Sequence, residues 1–259
     1  MSEVPLHTEE YGTNEPTIVL MHGFAGSARN FRPQTRLLRQ KYRVIVFDLR
    51  GHARSSAPED PAEYEPENFV DDVARVIEKS GASSVVLGGI SMGAGIALRY
   101  ALAKKSALKG LALFSFPASH ERTTAWAEAF ADAIEARGIE EAGAEHVWGG
   151  GRYDAESAKW IRQGFVEHRP YALANTLRRV LAVQPRTKDL EAELRALTVP
   201  TLLITGEDDA KAIEQTESIA AFVPSATHVS IADAGHVVNL QKPESFNGAF
   251  EDFLRRIEM

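Results

Sequence analysis

Residues 83–100 read SSVVLGGISMGAGIALRY, and the order of residue types in this stretch decides how the rest is read. Val85-Val86-Leu87 is a short apolar, β-branched run, suited to a strand buried on both faces. Gly89-Ile90-Ser91-Met92-Gly93 follows, a G-x-S-x-G. Ala94, Ile96, Ala97, Leu98 and Ala101 then continue as an apolar helical face. The expected order is strand, tight turn, helix, with Ser91 at the bend. Such a bend strains the serine backbone, so its neighbours must be small. Gly89 and Gly93 supply that space, and Gly95 is expected to let the helix pack close to the sheet. The serine hydroxyl is lifted clear of the sheet beside a helix N-terminus. There the Met92 amide and the positive end of the helix dipole can face a developing oxyanion.

Outward from this stretch, apolar strands alternate with amphipathic helices. Leu6–Glu10 is a weak alternating strand, and Thr17–Met21 (TIVLM) a buried one that runs into the small-residue loop His22-Gly23-Phe24-Ala25-Gly26-Ser27. Ala28–Gln40 reads as a helix whose start Pro33 restricts. Arg43–Phe47 (RVIVF) is the next strand, ending in the charged loop from Asp48 to Ser55. Asn68 is expected to cap a helix through Lys79, with Val70, Val73, Ala74 and Ile77 on one face. Leu108–Phe114, Thr201–Thr205 and Thr227–Ile231 are further strands, with helices near Ile213–Phe222 and from Pro243 to Ile257. The alternation implies right-handed crossovers and a mostly parallel sheet flanked by helices, an α/β fold.

The rhythm breaks between about Ala118 and Arg186, where no strand is read. Trp126, Phe130 and Ile134 mark one helix, Trp160, Ile161 and Phe165 a second, and Leu173, Leu177 and Leu181 a third. Gly149-Gly150-Gly151 interrupts them as a loop or hinge. A helical insertion must pack on something, and the strand ends are the available place, so residues 118–186 are expected to form a cap over a core of residues 1–117 and 187–259.

A serine hydroxyl needs a base to take its proton, and the base needs an orienting partner. Of eight histidines, His236 follows the last strand in Ala232-Asp233-Ala234-Gly235-His236 and is the expected base. His228 lies within that strand and reads as structural. His120, His146 and His168 fall in the cap, and His22 is read as bracing its loop. The strand Thr201–Thr205 leads into Gly206-Glu207-Asp208-Asp209, three adjacent carboxylates. Asp209 is the expected acid and Asp208 its competitor. The chain order Ser91, Asp209, His236 suits this hydrolase geometry. Two backbone donors are expected for the oxyanion, Met92 from its place after the serine and Phe24 from its place in the loop after Thr17–Met21. Trp126, Phe130 and Trp160 are candidates to line a substrate pocket.

His22-Gly23-Phe24, Asp48-Leu49-Arg50-Gly51-His52, the G-x-S-x-G, Gly206-Glu207-Asp208-Asp209 and Gly235-His236 together resemble the α/β-hydrolase superfamily over nearly the whole chain. In such proteins the acid stands three positions beyond the glycine that ends its strand, which favours Asp209. The chain looks most like small carboxylesterases, enol-lactonases and carbon–carbon bond hydrolases. It departs from the pattern in three places. The first strand of the usual sheet is missing, Asp209–Ile213 lacks the customary proline, and the loop after His22-Gly23 lacks the glycine-proline pattern of carbon–carbon hydrolases. Serine at the nucleophile position argues against haloalkane dehalogenase and epoxide hydrolase chemistry. The resemblance implies a serine hydrolase of carboxylic esters or lactones with small-to-medium apolar acyl groups. Its alternatives are a carbon–carbon bond hydrolase, a cofactor-free perhydrolase or haloperoxidase, and a non-catalytic ligand receptor.

Composition sets outer bounds. Among 259 residues there is no cysteine, so disulfides, thiol catalysis and Cys-ligated metals are excluded. A net charge of −7 argues against nucleic acid or an anionic membrane as partner. The N-terminus lacks a signal-peptide pattern and no apolar run spans a bilayer, so a cytoplasmic monomer or homodimer is expected, acting on a small molecule without metal or cofactor.

Overall fold

The computed structural model describes residues 3–104, 108–117, 119, 121–149 and 155–258. Its sheet has seven strands: β1 (Thr8–Tyr11), β2 (Thr17–Met21), β3 (Arg43–Phe47), β4 (Val85–Ile90), β5 (Leu108–Phe114), β6 (Thr201–Gly206) and β7 (Ala226–Ile231). Their spatial order is β1-β3-β2-β4-β5-β6-β7. Only β1 is antiparallel to its neighbour, and the other pairs are parallel. The chain moves from β2 to β3 on one side and returns to β4 on the other. The crevice at the C-terminal ends of β2 and β4 is therefore a topological switch point, where open α/β sheets bind ligands. Met21 pairs with Gly89, so the loops that begin at His22 and Ser91 leave the sheet nearly level with each other.

The central strands are buried on both faces, and period-2 alternation divides their side chains between two cores. Ile18, Leu20, Val44, Val46 and Phe114 face one way. There they meet α1 (Arg32–Leu38) and the last helix (Pro243–Glu258), whose Phe246, Phe250, Phe253 and Leu254 recur at helical spacing. Phe246 and Phe250 set their rings edge-on to Phe114, with centroids 4.7 and 5.4 Å away. Val19, Met21, Ile45, Phe47 and Leu87 face the other way, towards α2 (Pro66–Ser80), α3 (Met92–Lys104) and the helices between β5 and β6.

All described elements between β5 and Arg195 are helical. They are α4 (Glu121–Arg137), α5 (Ile139–Gly143), a π-turn at Ala144–Trp148, α6 (Ala155–Phe165), α7 (Pro170–Thr176), a π-turn at Leu177–Leu181, a 3₁₀ turn at Thr187–Leu190 and α8 (Glu191–Arg195). Phe130, Ile134, Phe165, Leu173 and Leu177 are buried, as the apolar stripes require. Gly149 ends the first π-turn, whereas Gly150 and Gly151 lie outside the described residues, as does His120.

Three local expectations are corrected. Pro33 sits in the first turn of a helix that starts only at Arg32, because Ala28–Phe31 is a separate 3₁₀ turn. Helix α2 starts at Pro66, two residues before Asn68, because proline's fixed φ suits the first helical position. Asn68 instead donates its amide to the Ala62 carbonyl (3.0 Å) and so holds the preceding 3₁₀ turn Pro61–Tyr64. Gly95 makes room on the opposite side from the one expected. A Cβ there would lie 3.1 Å from the Gln184 side chain, so the space serves the segment after the second π-turn and not the sheet.

The loop after β3 is anchored by a buried ion pair. Arg50 donates through Nε (2.6 Å) and Nη2 (2.8 Å) to the two oxygens of Asp72 on α2. Its Nη1 donates to the Glu63 carbonyl (2.7 Å). Arg50 is 2 % exposed and Asp72 0 %, so removing Asp72 leaves the interior Arg50 charge with Glu63 Oε2 (3.0 Å) as its remaining carboxylate, and removing Arg50 leaves Asp72 with Arg75. Asp72→Ala is expected to cost about 3–5 kcal/mol of stability, read from the midpoint of urea unfolding; a loss below about 1 kcal/mol, the range of an exposed pair, would contradict this.

Candidate active site

Ser91 takes φ +54, the left-handed region that side chains disfavour. Its N–H donates to the Phe114 carbonyl (2.9 Å) on β5, which fixes the bend from one side. A Cβ on Gly93 would lie 2.4 Å from the Met21 carbonyl oxygen, and one on Gly89 would lie 2.4 Å from the Gly93 carbonyl carbon. No side chain fits at either position, which is the physical content of the motif.

Three distant residues meet at this bend. The Ser91 hydroxyl lies 2.9 Å from His236 Nε2, and His236 Nδ1 lies 2.6 Å from Asp209 Oδ2. With Nδ1–H donating to the carboxylate, Nε2 is left as acceptor for the serine proton. The Asp209 side chain is 11 % exposed and that of His236 35 %, so the acid is sheltered and the base accessible. Asp208, the competitor, is exposed, and its contribution is a backbone one: its N–H donates to the Ala234 carbonyl (2.9 Å). That bond ties the acid-bearing loop to the base-bearing loop. Gln241 braces the latter by accepting the Gly235 N–H at 2.9 Å.

The loop after β2 lies against the bend. A Cβ on Gly23 would be 3.3 Å from Ser91 Cβ, and the Gly26 N–H closes a turn on the Gly23 carbonyl (3.0 Å). Phe24 is the second residue of that turn, a position whose N–H the turn does not consume, and Ala25 takes φ +52. Met92 is the first residue of α3, so its N–H has no acceptor within the helix. A hydroxyl, an imidazole, a carboxylate and the backbone N–H groups of Phe24 and Met92 are thus gathered where the loops leave the C-terminal ends of the strands.

Behind the loop, His22 is fully buried. Its Nδ1–H donates to the Gly23 carbonyl (2.7 Å), and its Nε2 accepts the Leu49 N–H (2.9 Å). Burial lowers its pKa to about 4, against the opposing pull of the Gly23 carbonyl, so it stays neutral. Asp48 accepts from the Ala28 N–H (2.7 Å) and from Arg54 Nε (2.9 Å). Burial alone would raise its pKa, but Arg54 and the Ala28 amide outweigh this and hold the carboxyl below its ordinary value.

A cluster of histidine rings that the sequence does not signal lies here. His52 lies 5.2 Å from both His22 and His168, which links the loops after β2 and β3 to the segment after α6. Burial pushes the His52 pKa well down. The Phe24 side chain joins Phe130 (6.1 Å) and Phe165 (5.6 Å) from the helical segment, and Trp126 reaches Phe130 at 5.5 Å. Of the expected pocket residues, Phe130 is buried, Trp126 is half-buried, and Trp160 is 51 % exposed and outside this ring cluster among the described ring contacts. His146 stacks on Phe130 (4.9 Å), and His228 Nε2 pairs with the Thr205 hydroxyl (2.7 Å) within the sheet. A polar cleft of about 660 Å³ between residues 51–57 and 166–171 is lined by none of Ser91, Asp209 and His236. Among the described residues no cluster of His, Asp and Glu could hold a metal, and no helix is long and apolar enough to cross a membrane.

The sequence matches the alpha/beta hydrolase fold family over residues 16–243, and the chain belongs to that family. Among its relatives is 3-oxoadipate enol-lactonase 1 of Acinetobacter baylyi, 25 % identical, covering 95 % of this chain and 91 % of that one. A thermophilic esterase from Thermogutta terrifontis superposes with a TM-score of 0.87 at 29 % identity, covering 99 % of this chain and 95 % of the esterase. The enol-lactonase of Burkholderia xenovorans LB400 gives 0.85 at 25 % identity, with 97 % of each chain covered. The family, the fold and the general class of hydrolase are thereby shown.

The buried imidazole makes the protein acid-sensitive. Between pH 6.5 and 4 the unfolded chain binds a proton at His22 that the folded chain refuses, so stability falls as pH falls through this window and levels off below it. A depression from 6.5 to about 4 corresponds to about 3 kcal/mol, of which about 2 is lost by pH 5. Urea unfolding at pH 7 and pH 5 should show a smaller difference for His22→Gln than for the unaltered protein; equal differences would refute the assignment.

Proposed function

We propose that this protein is a serine hydrolase that cleaves carboxylic esters or lactones of small-to-medium apolar acyl groups. The observation that carries the reading is the continuous chain of hydrogen bonds from the Ser91 hydroxyl through His236 to Asp209, at 2.9 and 2.6 Å. His236 takes the serine proton as the hydroxyl attacks the substrate carbonyl, and Asp209 stabilises the imidazolium that forms. The Phe24 and Met92 amides hold the tetrahedral oxyanion. His236 returns the proton to the leaving alcohol, then activates water to release the acid from Ser91. In a lactone the leaving alcohol stays attached to the acyl chain, so ring opening uses the same steps.

Residues 118–186 act as a cap in this reading. The rings of Phe24, Trp126, Phe130 and Phe165 pack together beside the loop that carries the Phe24 amide, and the half-buried Phe24 and Trp126 present an apolar surface that suits an uncharged acyl chain. The names of relatives, esterase and enol-lactonase, support ester and lactone chemistry.

A fluorophosphonate should label the protein at Ser91, and Ser91→Ala should abolish both labelling and turnover of short p-nitrophenyl esters. Asp209→Asn should lower kcat by about 10⁴-fold, since it loses the acceptor that selects the histidine tautomer, whereas Asp208→Asn should stay near the unaltered rate. Turnover by Ser91→Ala above background would sink the reading. A panel of an ester, a lactone, a vinylogous diketone and a peracid-forming acid identifies the reaction; preference for the diketone or for peracid formation would replace the proposed substrate class.

A further inference from the structure

The base and the Phe24 donor arrive from opposite sides of the nucleophile. His236 follows β7 and Phe24 follows β2, and β4, β5 and β6 lie between those two strands. Four inter-strand spacings separate them, roughly 19 Å of twisted sheet. Sheet hydrogen bonds alone leave the relative placement of the two loops to accumulate small errors across that span. The tetrahedral step needs the imidazole and the oxyanion donors fixed together to a fraction of an ångström.

A buried amide pair bridges the gap directly. Helix α9 (Ala210–Phe222) leads to β7, and after His236 the chain forms the short helix α10 (Val238–Gln241), which carries Asn239. Asn239 Nδ2 donates to the Asn30 carbonyl (2.9 Å) and to Gln34 Oε1 (3.2 Å). Gln34 Nε2 donates in return to the Asn239 carbonyl (3.1 Å) and to Asn247 Oδ1 (3.0 Å). Both side chains are shut from water, Asn239 at 1 % and Gln34 at 0 % exposure. Both amide protons of each side chain are therefore used. Asn30 belongs to the 3₁₀ turn Ala28–Phe31 that closes the loop after β2, and its own Oδ1 accepts the Ser27 N–H (2.7 Å). A chain of bonds thus runs from three residues beyond the imidazole into the loop that holds Phe24. Buried polar groups that are all satisfied are rigid, because any displacement leaves a donor unpaired.

We propose that Asn239, paired with Gln34, is a positioning residue that sets the catalytic imidazole against the oxyanion donors, an inference that rests on the serine-hydrolase reading above. Its energetic effect falls on the transition state, where both groups must act at once, and not on substrate binding. The signature is a fall in kcat with little change in KM.

The test compares Asn239→Leu with Asn239→Leu/Gln34→Leu. The single change leaves Gln34 Oε1 and the Asn30 carbonyl buried without the Asn239 Nδ2 donor, while Gln34 Nε2 keeps the Asn239 backbone carbonyl, and it lowers Tm. The double change replaces both partners with apolar groups of similar size and recovers part of that loss. Neither variant restores the bond to Asn30. Both are therefore expected to show kcat for p-nitrophenyl acetate reduced about tenfold or more, KM within about threefold, and slower fluorophosphonate labelling of Ser91. Recovery of kcat in step with Tm in the double variant would make the pair a stability element only and overturn the proposal. Failure of the unaltered protein to label at Ser91 would overturn the serine-hydrolase reading and this inference with it, so the two failures are distinct.

Discussion

A left-handed serine at the end of a central strand is the constraint on which the molecule turns. A non-glycine residue at φ +54 costs on the order of 1–3 kcal/mol and persists only where its surroundings leave it no alternative. Here β2 presses the Met21 carbonyl against Gly93 on one side, and β5 takes the Ser91 N–H through Phe114 on the other. Both neighbours are needed, so the bend is stable only on a strand paired along both edges. This links the strain to the topology. An edge strand could not hold it, and β4 lies in the interior of the seven-stranded order.

The electrostatics around the bend follow from what is buried. His22 must accept the Leu49 N–H with Nε2, which only the neutral ring can do, and full burial secures that form. His52 is neutral for the same reason. Two neutral rings behind the oxyanion loop give it rigid aromatic backing without a positive charge that protonation could switch on and off. The ionised groups stand further out and are paired, Asp48 with Arg54 and Arg50 with Asp72. In the proposed reaction the backbone dipoles at Phe24 and Met92 then supply the fixed positive features, a preorganised arrangement that needs no reorientation.

Much of this was legible in the residue order, and the boundary has a physical basis. Strands buried on both faces appear as continuous apolar runs, so β2, β3, β5 and β6 are legible to within a residue, whereas β4, read over Val85–Leu87, runs on through its glycines to Ile90. Ser91, Asp209 and His236 stand out because each follows a recognisable strand in a loop whose composition is informative on its own, and their side chains meet in the structure. What escaped was long-range pairing. Asn239 and Gln34 lie 205 positions apart, and each taken alone is an unremarked polar residue near a helix. The tilted and edge-on ring contacts of His22, His52 and His168 join three separate loops, and none of them announces the others. Gly95 was misassigned because a glycine signals close approach without saying from which side. Trp160 shared a helical stripe with Ile161 and Phe165, yet only Phe165 of that stripe is fully buried, since the stripe was read without knowing the helix's rotation.

The two adjacent aspartates show how backbone geometry decides a chemical role. A Cβ on Gly206 would lie 2.1 Å from the Ala234 carbonyl oxygen, so the loops after β6 and β7 are in contact at their bases. The Asp208 N–H bonds that same carbonyl, while Glu207 bonds back to Ile231. The backbone of residues 206–208 is thus committed to the neighbouring loop, and the Asp208 side chain is left pointing to water. One residue later the chain turns into α9, and the Asp209 carboxylate faces His236 from a sheltered position. The carboxylate that meets the imidazole, and orients it in the proposed reaction, is therefore selected by which amide is spent on cross-linking the loops. The imidazole, the more exposed partner, keeps one face open to the water that the second half of the proposed reaction requires.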